Sequence, residues 1–210
     1  MAKVHAPLFS FNASGALAKS LVYFGWKGID VVRSYVTPSN PKTTAQVTQR
    51  GYFTAAVTKI HDTMALATHA LDADDKSAYA RLASIRANPR TWFNEIVKLW
   101  ADSKVASKHP LVYSDATISD ADVTAFACIM YLNEETGSQL AAGKFYFGTS
   151  KTALINSQAA TVVAGTSVAI AIVDLSAFLT AGVKYYMQFK PDAADPSEGC
   201  VSGIMTFTGA

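Results

Sequence analysis

Residues 20–53 place a hairpin, a stiff connector and a capped helix in immediate succession, and this stretch limits the fold more than any other part of the chain. Residues 21–26 and 29–36 are rich in β-branched and aromatic side chains, the composition of paired strands. Between them, Trp26-Lys27-Gly28 predicts a three-residue loop, a type I turn followed by Gly28 in the left-handed region. A two-residue type I′ turn would put Lys27 at positive φ, which is costlier. Ile29, Val31 and Tyr35 share one face with Arg33, while Val32 and Val36 lie on the other with Asp30 and Ser34. A solvated hairpin keeps one face polar, so both faces are expected to meet protein. Tyr23, Trp26, Val32 and Tyr35 are the expected docking residues. Pro38 and Pro41 fix φ and remove two donors, which stiffens the connector. Thr43 and Gln46 then have the spacing of a capping box that opens a helix.

The run Val-Tyr-x-x-Trp-Lys-Gly-x-x-Val-Val-Arg-Ser-Tyr-Val-x-Pro-x-Asn-Pro-Lys-Thr-x-Ala-Gln resembles a group of phage and prophage virion structural proteins. They share the Lys-Gly hairpin, the Asn-Pro-(Arg/Lys)-Thr-x-Ala-Gln signature and a following helical bundle. The resemblance spans roughly residues 14–100. It carries no catalytic residue across. It implies a structural part of a bacteriophage particle, in capsid, connector or tail, made in the host bacterial cytoplasm. Its partners would be other copies of itself and other virion proteins.

Half of the 210 residues are hydrophobic and 16% are charged, a lean surface for a free monomer and one suited to burial in an oligomer. No apolar run reaches the ~20 residues that span a bilayer, so no membrane is expected. Met-Ala-Lys-Val-His-Ala-Pro lacks the apolar core of a secretory leader, so export is not expected. Through His109 there are 14 Lys and Arg against 7 Asp and Glu, a balance of +7; from Pro110 there are 4 against 9, −5, which together give +2. Opposite-sign halves favour head-to-tail contacts between copies. The cations are scattered rather than clustered, so nucleic acid is not the expected partner.

The fold class read from these patterns is α+β. An assembly domain over 1–109 holds the hairpin and about three helices, and 110–210 forms an all-β immunoglobulin-like sandwich. The first helix is expected over 44–70, with Phe53, Val57, Ile60, Met64, Ala67 and Leu71 on a buried stripe. A second follows Asp72–Asp75 to about Arg86, its acidic first turn suiting the helix dipole, with Tyr79 and Leu82 inward. Thr91 caps a third over 92–101, apolar most of the way round. Trp92 and Trp100 are therefore core residues or part of the assembly interface. Short strands are expected at 111–113, 123–132, 144–149, 161–164, 167–174, 183–190 and 201–208, the last pairing back on 185–189. Residues 157–164 could instead be loop. Leu179-Thr-Ala-Gly-Val-Lys-Tyr185 is similar to the corner of fibronectin type III domains, with Ala181 in place of a proline. That likeness implies a structural role for the Tyr185 hydroxyl.

No nucleophile elbow, phosphate-cradling glycine loop or zinc pattern occurs, so the chain is read as no enzyme and no cofactor is expected. Asp72, Asp74 and Asp75 open like a calcium loop but lack its glycine and closing glutamate. His61 and His69 lie eight apart on the expected helix, too far for a shared metal, and read as solvated. Cys128 and Cys200 read as buried free thiols, with a disulfide left open. A second function class is a host-surface glycan bound by the sandwich, through strand tyrosines such as Tyr131, Tyr146 or Tyr186.

Overall fold

A computed structural model describes residues 2–3, 14–37, 39–40, 42–135, 137 and 139–210. The chain divides into two units, Met1–Thr43 and Thr44–Ala210. The connector prolines, Pro38 and Pro41, lie outside the described residues.

In the first unit, β1 (Ala2–Lys3), β2 (Gly15–Leu17), β3 (Leu21–Trp26) and β4 (Ile29–Ser34) form an antiparallel sheet in the order β1-β4-β3-β2. The β3–β4 hairpin is as long as its apolar run allows, except that β4 stops at Ser34 rather than Val36. Its turn corrects the sequence reading. Trp26 pairs directly with Ile29, and both Lys27 and Gly28 have positive φ, 51° and 75°, so the turn is the two-residue kind. The left-handed conformation costs Lys27 about 1–2 kcal/mol. The twist of such a turn matches that of the strands, and the full register it permits offsets that cost.

The second unit opens with α1 (Thr44–Met64), α2 (Ala73–Ser84) and α3 (Trp92–Val105). The start of α1 falls where the Thr43 spacing puts it, but the helix ends at Met64, short of residue 70. Its buried positions are Ala56, Ile60 and Thr63; of the expected stripe Ile60 and Leu71 are buried and Val57 is partly so, while Phe53 and Met64 are 56% and 38% exposed. The reason lies in packing. The C-terminal half of α1 packs into the core through Ala56, Val57 and Ile60, and small Ala56 permits a close approach. Helix α2 begins at a reciprocal capping box between Asp72 and Asp75, and Thr91 caps α3.

Strands β5 (Leu111–Asp120), β6 (Phe126–Glu134), β7 (Gly143–Gly148), β8 (Asn156–Ala159), β9 (Thr161–Val163), β10 (Ser167–Val173), β11 (Lys184–Pro191) and β12 (Met205–Thr208) follow. They form two antiparallel sheets, β5-β6-β10-β9 and β12-β11-β7-β8. The inward residues of β6 alternate with half-buried ones, and Phe126, Cys128 and Met130 share one core with Phe145, Phe147, Met187 and Phe189 of the other sheet. The last strand returns on β11 as expected, from Lys184 opposite Thr208 to Met187 opposite Met205. The Tyr185 hydroxyl accepts from the Thr180 N–H at 3.0 Å, across the turn made by Gly182.

The boundary expected at 109 falls inside this unit. Ile60, Leu71, Tyr79, Ile96 and Trp100 share a second core with Val112 and Ile204, so helices and strands cannot be separated there. Both β5 and β12 end their sheets, and an edge strand carries unpaired backbone groups that must be covered. Helix α2 covers part of these edges. The Tyr79 hydroxyl accepts from the Tyr113 N–H at 3.1 Å, the Asp75 carboxylate from Asp115 and Ala116 at 2.7 and 3.1 Å, and the Ala78 carbonyl from the Ile204 N–H at 2.9 Å.

Candidate assembly surface

The cross-strand pairs of the first unit sort its side chains into two faces. Val22, Phe24 and Trp26 lie with Arg33, Val31 and Ile29 on one; Leu21 and Tyr23 lie with Ser34 and Val32 on the other, beside Leu17 of β2. Of the expected docking residues, the sheet thus brings Tyr23 and Val32 together and places Trp26 on the opposite face. Tyr35 follows β4 and is exposed, its N–H bonded to the Ser20 carbonyl at 2.8 Å. Among the described residues of this unit only Val31 is buried, and Trp26 at the hairpin tip is 55% exposed. Arg33 lies over the Phe24 ring at 5.5 Å, a contact that leaves the rest of that face apolar. A sheet gains stability by burying a face against another layer, and here Val22, Tyr23, Phe24 and Val32 are only half-buried while Leu17, Leu21, Trp26 and Ile29 are exposed. In the second unit, Val47 and Phe53 of α1 are exposed as well.

The two tryptophans of α3 behave differently. Trp100 is 1% exposed and belongs to the helical core, so it offers nothing to a partner, which corrects its place among the docking residues. Trp92 is half-buried, edge-on to Phe93 and beneath the Lys76 ammonium at 5.6 Å. Burial explains the difference: Trp100 faces α1 and the sheet, while Trp92 sits at the mouth of the first turn.

Polar groups converge where α2 meets the β5 bulge. His69 and Asp115, both in the left-handed region at φ 57° and 47°, are joined by a 2.6 Å contact from Nδ1 to Oδ2, and the His69 ring stacks on Tyr131 at 3.3 Å between centroids. The sequence gives no sign of this cluster, because residues 69, 115 and 131 meet only through the packing of β5 and β6. A histidine–carboxylate pair invites comparison with a catalytic triad, which needs a hydroxyl on the ring's other nitrogen. The neighbouring Ser114 hydroxyl instead donates to the His69 carbonyl at 2.7 Å, so it is engaged away from the ring. Cys128 and Cys200 are buried free thiols. Burial pushes the Cys128 thiol up to about 12 and raises that of Cys200, so neither supplies a thiolate at neutral pH.

Asp75 is the most perturbed acid here. Burial lifts its carboxyl from 3.8 to about 6, against the opposing pull of the Ala116, Asp115 and Asp72 N–H groups. An acid raised on folding binds its proton more tightly in the native state. Its favourable contribution is therefore present below about pH 4 and lost as pH rises to about 6. Urea unfolding of the wild type and Asp75→Asn across that range should show the wild type losing stability relative to the variant as pH rises. A difference that is flat, or that widens in the wild type's favour, would contradict this assignment.

Below Asp75 a groove of about 360 Å³ lies between the edges of β5 and β12, with Ile118, Ala121, Met205 and Thr206 among its walls. Next to its lining residues the Ile204 N–H bonds the Ala78 carbonyl and the Ala210 N–H bonds the Ala121 carbonyl, both at 2.9 Å. Residues alternate in direction along a strand. Gly209 donates to Val183, just before β11, and Ile204 to α2, so the backbone groups of Thr206 and Thr208 face the groove. Sequence reasoning misses it because it is made of two edges some 90 positions apart, roughly the span from 116 to 206.

The glycan candidates are half-buried and already have neighbours: Tyr131 carries the His69 ring, Tyr146 lies under Lys190 at 4.9 Å, and Tyr186 under Lys184 at 5.8 Å. No helix among the described residues is long and apolar enough to cross a membrane, and no group of three or more potential metal ligands occurs among them. Comparison with protein-family models, with curated proteins and with solved structures found no match.

Proposed function

We propose that the chain is a non-enzymatic structural component of a bacteriophage particle, acting by assembly with copies of itself and other virion proteins. One observation carries the assembly half of this reading: the first unit is a sheet with apolar side chains on both faces and a single buried hydrophobic residue among those described. Such a sheet needs a covering layer, and neighbouring subunits supply one. The virion half rests on the resemblance of the hairpin and its Asn-Pro-Lys-Thr-x-Ala-Gln signature. In this reading Tyr23, Trp26, Val32 and Tyr35 form the contact, and the two-sheet body, with its Tyr185 corner, is an immunoglobulin-like module turned outward. Glycan binding by that module draws less support, since its tyrosines are engaged within the chain.

Apolar contact rather than charge should dominate. Burying a side chain such as Trp26 contributes on the order of 2–3 kcal/mol, whereas an exposed ion pair gives about 0–1 kcal/mol. Trp26→Ala should thus weaken self-association, followed by light scattering against concentration, far more than Lys27→Ala. Equal losses in the two variants would show the ranking to be wrong.

A further inference from the structure

We propose that the groove between β5 and β12 receives the hairpin tip, Trp26-Lys27-Gly28, of a second copy. The inference rests on the assembly reading and names the surface into which Trp26 goes.

Three features fit tip to groove. The first is shape: a two-residue turn makes a narrow tip, and Trp26 stands beside it more than half exposed. The groove, about 360 Å³, suits a large side chain with its flanking backbone rather than a long strand. The second is chemistry. An indole has an apolar body and one N–H donor, and the groove pairs the apolar side chains of Ile118, Ala121 and Met205 with outward backbone carbonyls of Thr206 and Thr208. The third is charge. The first unit carries Lys3, Lys19, Lys27, Arg33 and Lys42 against Asp30 alone, and Lys27 is the residue next to Trp26. The groove is lined by two carboxylates, the exposed Asp74 and the buried Asp75, against one cation, Arg81. A basic tip is therefore drawn to this groove.

Tip and groove are different surfaces, so each copy has one of each and the contact is head-to-tail. Such contacts close into rings or run on as filaments according to their rotation. They also permit complementation. Trp26→Ala leaves a groove without a tip, and Ala121→Phe leaves a tip with a filled groove. Each variant alone should associate at least about 30-fold more weakly than wild type, the equivalent of losing one buried tryptophan. Mixed, they should form a one-to-one dimer and nothing larger, as read by sedimentation velocity.

Asp74→Lys tests the same contact at an exposed position, where reversing one first-turn charge costs α2 only about 1 kcal/mol. It should weaken association about 3- to 10-fold, and Lys27→Glu in the same chain should restore it. If Ala121→Phe fails to fold, as its circular dichroism would reveal, the charge exchange decides alone. Groove variants that assemble like wild type while Trp26→Ala does not would overturn the groove and leave the assembly reading standing. Normal assembly of every variant, Trp26→Ala included, would overturn both.

Discussion

Trp100→Ala is expected to destabilise the second unit by about 3–5 kcal/mol, the largest single effect in the chain. The indole is 1% exposed and packs with Ile60, Leu71, Ile96 and Val112, where α1 and α3 meet the sheet. Truncation removes its transfer energy and leaves a void that the surrounding strands and helices can only partly fill. Its Nε1 is buried without a hydrogen-bond partner in the structure, so the polar end of the ring contributes little. Trp100→Phe should therefore recover much of the loss, and Trp92→Ala, at a half-buried position, should cost clearly less than Trp100→Ala. Urea unfolding of the three variants is the test. A Trp92→Ala loss as large as that of Trp100→Ala would mean that the core is centred elsewhere.

The second large effect is expected at Gly203. A Cβ there would lie 2.7 Å from the Ala78 carbonyl carbon, the Ala78 Cβ and the Tyr79 nitrogen, inside any real contact distance. The neighbours are helix backbone, so α2 itself must move, and the Ile204–Ala78 bond that seals the sheet edges goes with it. Gly203→Ala should cost roughly 1–3 kcal/mol or more, with faster amide exchange along α2. The same substitution at Gly51, in the exposed part of α1 with nothing within 4 Å, should stabilise by about 1 kcal/mol through helix propensity alone. Two glycine-to-alanine changes of opposite sign separate close packing from backbone preference. Destabilisation at both positions would contradict the proposed division.

The parts of this architecture that could be read in advance are those written by local chemistry. Asp72 with Asp75 and Thr91 mark helix starts because capping is decided within four residues. The alternation along residues 126–132 gives β6 because one face meets a core. The Tyr185 corner is likewise local, five residues from its bond at Thr180. What depends on distant contacts could not be read. The stripe on α1 fails at Phe53, which stays exposed, and periodicity cannot tell which turns of a helix are buried. The boundary at 109 follows composition and charge, neither of which records that Val112 and Ile204 complete the helical core. Asp75 reads as a cap, and its second task, holding the β5 bulge some 40 residues on, exists only in three dimensions. The Lys27 turn is a different case. The cost of positive φ is local, while the register of the whole hairpin decides the turn.

That both faces of the first sheet are built to be covered by other subunits is the central claim, and the mass of the intact chain in solution tests it most directly. Sedimentation equilibrium from about 1 to 100 μM should give an oligomer, and it should persist in about 1 M salt, where the Debye length is ~3 Å and apolar burial is not screened. A chain that stays monomeric over the whole range at ordinary salt would contradict the account.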